Sequence, residues 1–236
     1  MLSGGQDNLD FEGPTILRSV AEDLKTPLFR ILTQLESNRL TGKFDTSGAE
    51  VVADAALRLI DSYILSIQSY NDQQYLPLEP VAAQAIIYDC DMHLKKIAQL
   101  HGVTTNLNFQ RGIGLVMANS RAFTAIITSL AYGFLYNAES TSQQSMEFTL
   151  NKSTSGIRVG LFSNDFDFSS SSLQKLRKLS GRTRQLSPDF AHGSSSGFLI
   201  ADKLCSKMNV ELKATSFNKK YGLSFNLVPS KQLTLI

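Results

Sequence analysis

Two adjacent carboxylates, Glu22 and Asp23, stand one helical turn ahead of Thr26-Pro27. Carboxylates do take up phosphoryl groups as acyl phosphates, but in metal-assisted sites of a different build. A second stretch with chemical potential is Gly193-Ser194-Ser195-Ser196-Gly197, a flexible loop running into the helix FLIADKLCSK. The amide-rich start of a helix binds phosphate, and glycines let the backbone come close. Lys178, Arg182 and Arg184 precede this loop and are candidates to contact such phosphates, although basic loop residues are ordinarily just solvated. The histidines, His93, His101 and His192, lie far from the paired carboxylates in sequence. Cys90 and Cys205 are widely separated, without metal-ligand spacing, and read as two reduced thiols. No Ser/His/Asp or Cys/His arrangement for nucleophilic hydrolysis can be assembled from local motifs.

The elements that must carry these residues follow from composition and periodicity. At 236 residues and 42 % apolar content the chain has material for one large domain or two small ones. Its net charge of +2, with both signs mixed along the chain, argues against nucleic acid and membrane surfaces as partners. No apolar run approaches the roughly 18–20 residues that span a bilayer, and the start lacks a signal-peptide core. The expectation is a soluble, cytoplasmic protein without membrane insertion, with residues 1–12 as a flexible tail.

Residues 13–72 read as a helical hairpin. Pro14 suits the first turn of a helix. Beyond it Ile16, Val20, Leu24, Leu28, Ile31 and Leu35 recur at steps of three and four, which predicts one buried stripe. After the polar loop SNRLTGKFDTSG, a second helix over about 50–70 carries Val52, Ala56, Leu59, Ile60, Tyr63, Ile64 and Ile67 on one side. A lone hairpin leaves its stripe wet, so a homodimeric four-helix bundle is expected. Residues 73–80, rich in proline, read as a linker. Over 81–236 helices alternate with mostly hairpin-connected strands, which predicts a two-layer α+β sandwich. The serine run before the helix at about 170–179 reads as its cap.

In this order, Glu22-Asp23-Leu24-Lys25-Thr26-Pro27-Leu28 resembles the phosphoacceptor motif of sensor histidine kinases, approximately His-Glu-Leu-Arg-Thr-Pro-Leu. The resemblance extends from about Phe11 to Val228 and implies a dimerisation hairpin followed by an ATP-binding domain of the GHKL (HATPase) type. It also accounts for Pro27, since the family bends this helix just past the acceptor. The acceptor histidine position holds Glu22, and Asp23 stands where the family's general-base glutamate would be. Two readings of the pair remain, a solvated helix face and a partner-recognition patch.

The implied nucleotide pocket is equally altered. The family's magnesium-binding Asn-Leu-Leu-x-Asn-Ala pattern aligns with Ser129-Leu130-Ala131-Tyr132-Gly133-Phe134, so both asparagines are absent. Magnesium demands octahedral oxygen coordination, and each loss removes a ligand. An alignment shifted by one turn puts Asn137 on the motif. The family's Asp-x-Gly-x-Gly falls on Ser163-Asn164-Asp165-Phe166-Asp167, with Ser163 for the adenine-binding acid and Asp165 reaching adenine only if the register slips. Phe166 and Phe168 read either as a plug of the purine slot or as plain core. The final Gly-x-Gly-x-Gly corresponds to Gly193 and Gly197 with Ser195 between them.

The resemblance implies a two-component signalling protein of pseudokinase character, without autophosphorylation and with no cofactor or metal, acting through dimerisation and protein contacts. Response-regulator-like domains or true histidine kinases are the expected partners, docking around Lys25, Thr26, Pro27, Phe29, Ile31 and Leu32. The alternative is a divergent ATP- and magnesium-dependent phosphotransferase that uses Asn137 and Asp165. In a third reading, the second domain keeps a nucleotide or other small ligand only as a switch.

Overall fold

The computed structural model describes residues 12–42, 46–71, 76–136, 144–164, 169–179 and 196–231. Two long helices open the chain, α1 (Glu12–Thr41) and α2 (Ser47–Asn71). Helix α1 runs unbroken through Pro27, although proline has no N–H to offer the preceding turn. Gly42, at φ 66°, closes it in the left-handed conformation that glycine adopts without a Cβ penalty. Thr46 opens α2, its hydroxyl donating to the Glu50 carboxylate at 3.0 Å.

The rest of the chain is the expected α+β layer pair. Its elements are β1 (Glu79–Val81), α3 (Ala83–Leu100), β2 (Val103–Phe109), β3 (Val116–Ala118), α4 (Ser120–Tyr136), β4 (Gln144–Ser153), β5 (Gly156–Ser163), α5 (Ser170–Leu179), α6 (Ser196–Lys207), β6 (Lys213–Phe217) and β7 (Lys220–Pro229). The seven strands form one sheet in the order β1-β3-β7-β5-β4-β2, with β6 also paired to β7. Strand β2 runs parallel to β4, while the remaining pairs are antiparallel. Apolar residues such as Phe148, Leu161 and Leu223 are fully buried, and Phe123 of α4 meets Phe225 of β7 edge-on at 6.0 Å. Ser169 caps α5, its Oγ accepting from the Ser172 amide at 3.2 Å.

Strand β1 begins inside the stretch expected as linker and pairs with β3, so the connection is stitched to the sheet. Asn119 adds a second stitch. Its Oδ1 accepts from the Ala122 amide at 3.0 Å, capping α4, while its Nδ2 donates to the Pro77 carbonyl at 3.1 Å.

The hairpin differs from expectation in how it is covered. Helix α2 packs on α3, α4 and α6, and α1 packs on α2 and α6. Val20, Val52, Ala55, Leu59 and Tyr63 join the same apolar core as α4 and α6. The single stripe foreseen on α1 therefore splits in two. Val20, Pro27 and, partly, Leu24 and Ile31 face inward, whereas Leu28 and Leu35 are exposed together with Leu32. On α2, Ile64 is likewise exposed, and so is Leu57. Side chains i, i+3 and i+4 share a row, but adjacent rows of one helix can have different partners. Here the second domain covers the inner row.

Candidate functional site

Three of the positions that the resemblance aligns with a nucleotide pocket, Ser129, Gly133 and Gly197, meet where α4 crosses α6. Gly197, in the first turn of α6, lies so close to α4 that a Cβ there would overlap the Ser129 carbonyl oxygen and sit 3.1 Å from the Gly133 nitrogen. At Gly133 an added Cβ would stand 2.6 Å from the ring of Phe198. That ring is itself buried and packs edge-on against Phe134, with centroids 5.7 Å apart. The volume that a side chain at 133 would need is thus filled by the residue following Gly197.

Ser129 is fully buried, and its Oγ has no hydrogen-bond partner. It is sealed under the helix crossing, where a metal ion would also need room for its remaining oxygen ligands. Ser129 and Gly133 offer no side-chain carboxamide to such an ion. Ser163 ends β5, buried and paired in register with Met146 and Tyr221. Of the other pocket residues expected from sequence, Asn137, Asp165 and Gly193 lie outside the described residues. So do Phe166, Phe168, His192, Arg182 and Arg184, and residues 1–11 of the tail. Among the described residues no cluster of three His, Cys, Asp or Glu could hold a metal ion.

On α1 the described side chains sort cleanly. Pro27 is buried and Ile31 packs against the core, so neither is presented outward. Lys25, Phe29 and Leu32 are exposed, Phe29 by 70 % and Leu32 by 59 %. A phenylalanine left that open on a helix is the kind of apolar feature that marks contact surfaces. The side chains of Glu22, Asp23 and Thr26 lie outside the described set, although their backbone is part of α1. Phe29 stands two turns beyond Glu22 in the helix.

Sequence reasoning missed three features. Phe198 fills the α4–α6 crossing, although its place in the sequence marks only a helical position. Arg177 of α5 grips Asp202 of α6 through both Nε and Nη2, the shortest contact 2.6 Å, and Nη2 also donates to the Leu212 carbonyl at 2.8 Å. This fork joins the two helices that flank residues 180–195. Finally, arginines of the hairpin reach two histidines: Arg58 to His93 of α3 at 3.3 Å and Arg30 to His101, just past the end of α3, at 3.0 Å.

A helical hairpin packed on an α+β sandwich, its glycine-rich segment leading into the helix that crosses α4, defines the class. The chain has the fold of a histidine-kinase catalytic core, hairpin and ATPase-like domain together. It superposes on the Acinetobacter baumannii histidine kinase AdeS with a TM-score of 0.51 and 10 % identity, covering 89 % of this chain and 98 % of that one. Histidine kinase ThkA, solved in complex with the response regulator protein TrrA, gives a TM-score of 0.52 at 12 % identity over 89 % of this chain and 59 % of that one. Full-length ShkA in complex with AMPPNP gives 0.52 at 13 % identity over 77 % of this chain and 38 % of that one. No protein-family model and no curated protein sequence matches the chain. None of the helices among the described residues is long and apolar enough to cross a membrane.

Proposed function

We propose that this chain is a two-component signalling protein that has set aside autophosphorylation and works by self-association and protein contacts. The observation that carries this reading is the closed crossing of α4 and α6. A Cβ at Gly133, which the resemblance aligns with the family's metal-binding asparagine, would stand 2.6 Å from the ring of Phe198. Glu22, at the acceptor position, supports it from the other side, because a carboxylate lacks the imidazole nitrogen that takes the phosphoryl group.

The partner in this reading is a response-regulator-like domain or a histidine kinase, and it meets α1 at Lys25, Phe29 and Leu32. ThkA is a precedent for the first kind of partner, having been solved with a response regulator. The exposed leucines at 28 and 35, with Leu57 and Ile64 of α2, give a second copy an apolar surface to cover. Sedimentation should therefore show a dimer that Leu28→Arg with Leu35→Arg converts to monomer.

The deciding experiment is incubation with labelled ATP and Mg²⁺. No acid-labile phosphoprotein should form, and its appearance would overturn the proposal. Calorimetry with Mg·ATP separates the enzyme alternative. Micromolar binding that Asn137→Ala abolishes would favour a phosphotransferase using shifted residues, and binding without turnover would favour a nucleotide switch.

A further inference from the structure

An open sheet leaves strand edges, and an edge offers backbone groups with which another chain can pair. Among the described residues three strands have a partner on one side only: β1, β6 and β2. Two of these are blunted. Strand β1 is three residues long and carries Glu79 and Pro80, while β6 is five long and opens on Lys213, which pairs with Glu211 at 3.0 Å. Short length, charge and proline are the usual guards of an edge. Strand β2, VTTNLNF, has none of them. Its seven residues pair one-to-one with residues 144–150 of β4, without a bulge. Every second residue of β2 therefore turns its N–H and C=O away from β4, along an edge about 23 Å long.

We propose that the β2 edge takes up an extended, acidic segment of a partner protein as an added antiparallel strand. One face of the edge is apolar. Leu107 and Phe109 of β2 are only partly covered by the core, and on α3, which packs against β2, Tyr88 and Met92 are 53 % and 55 % exposed. The other face of β2 carries Thr104, Asn106 and Asn108, all uncharged. A strand with apolar residues at alternate positions covers the first face and leaves polar side chains on the second. Charge selects the acidic class. The carboxylates of α3 and β4 are all accounted for: Asp91, buried, holds Lys95 at 3.2 Å, Glu147 takes Lys220 at 2.6 Å, and Asp89 lines a cavity with Arg58 and His93 on the α2 side of α3. Strand β2 has no carboxylate. Lys96, one turn beyond Met92 on α3, and Arg111, two residues past β2, are exposed and have no ion-pair partner among the described residues. The uncompensated charge beside this edge is thus positive. Neither phosphoryl chemistry nor a nucleotide enters into this recognition.

The probe is the acetylated, amidated peptide EVTVEVTVE, long enough to span β2, titrated into the full chain while hydrogen exchange is followed. At about ten times its dissociation constant it should slow the edge amides of β2 about tenfold and leave those of β5, inside the sheet, unchanged. Two N-methylated forms, one on every valine and one on every other residue, each block a single edge of the peptide. One should bind like the parent and the other at least about tenfold more weakly. The lysine peptide KVTVKVTVK should also bind at least about tenfold more weakly, and the Lys96→Glu/Arg111→Glu protein, changed only at exposed positions, should lose about tenfold in affinity for EVTVEVTVE. No saturable binding of EVTVEVTVE below about 1 mM, equal binding of both N-methylated forms or of the lysine peptide, or unchanged binding to the charge-reversed protein overturns the proposal. Edge amides of β2 that are already slow in the protein alone overturn it as well. Slowness at every concentration would put a segment of this chain on the edge, and slowness only in concentrated solution would put a second copy there.

Discussion

Adding one methyl group at Gly197 tests the packing on which the functional reading stands. In Gly197→Ala the new Cβ would lie 3.1 Å from the Gly133 nitrogen and 3.2 Å from the Ser129 carbonyl carbon, and would overlap the carbonyl oxygen. All three are backbone atoms inside α4, so no side chain can swing aside and one helix must shift. Overpacking of this kind costs about 1–3 kcal/mol, and backbone against backbone belongs at the upper end. Alanine's helix propensity returns up to about 1 kcal/mol, less in a first turn. The expected net loss is about 2 kcal/mol, which for a chain of this size lowers Tm by about 4–8 °C. Thermal and urea unfolding followed by circular dichroism measure it directly. Gly114→Ala is the control, because its Cβ would meet nothing within 4 Å. A Gly197→Ala protein within about 0.5 kcal/mol of the wild type would refute the close crossing, and with it the argument that the space over Gly133 is closed.

Three further outcomes follow from the packing elsewhere. Burial pushes the Glu147 carboxyl up, but the Lys220 ammonium at 2.6 Å and the Asn108 amide at 2.8 Å outweigh it and hold the value below normal. That stability is present above the unfolded carboxyl value and lost as pH falls through the folded one, so Lys220→Met should cost about 1 kcal/mol at neutral pH and flatten the acid limb of a stability–pH curve. Burial pushes the Cys90 thiol up to about 11 and the Cys205 thiol well above its ordinary value, so the native protein should resist thiol reagents at pH 8 and expose both thiols in urea. Arg177→Ala should cost about 2 kcal/mol in unfolding experiments by leaving Asp202 and the Leu212 carbonyl without their fork, and Arg177→Lys should recover less than half.

Much of this fold was legible because local chemistry and global packing agree. The two long helices announce themselves by apolar steps of three and four, and the α+β order by alternating strands and capped helices. Which partner covers which row was not legible. Leu28 is as apolar as Ile31, and periodicity assigns both to a helix without saying that one meets the core and the other remains outside. Nor could spacing reveal that Phe198 fills the room left by Gly133, since the two meet only through the α4–α6 crossing. Strand β1 is three residues long, too short for any periodic signal, and it exists because β3 offers it an antiparallel edge. The arginine–histidine contacts were hidden for a related reason: each joins residues distant in sequence, so their pairing is decided by how the hairpin docks.

Asn119 gives the join between the two halves a mechanical character. One amide group both holds the Pro77 carbonyl and caps the start of α4, so the strap ahead of β1 and the first turn of that helix depend on the same side chain. Replacing this one side chain, as in Asn119→Ala, would slacken the strap at Pro77 and fray the start of α4 in a single step.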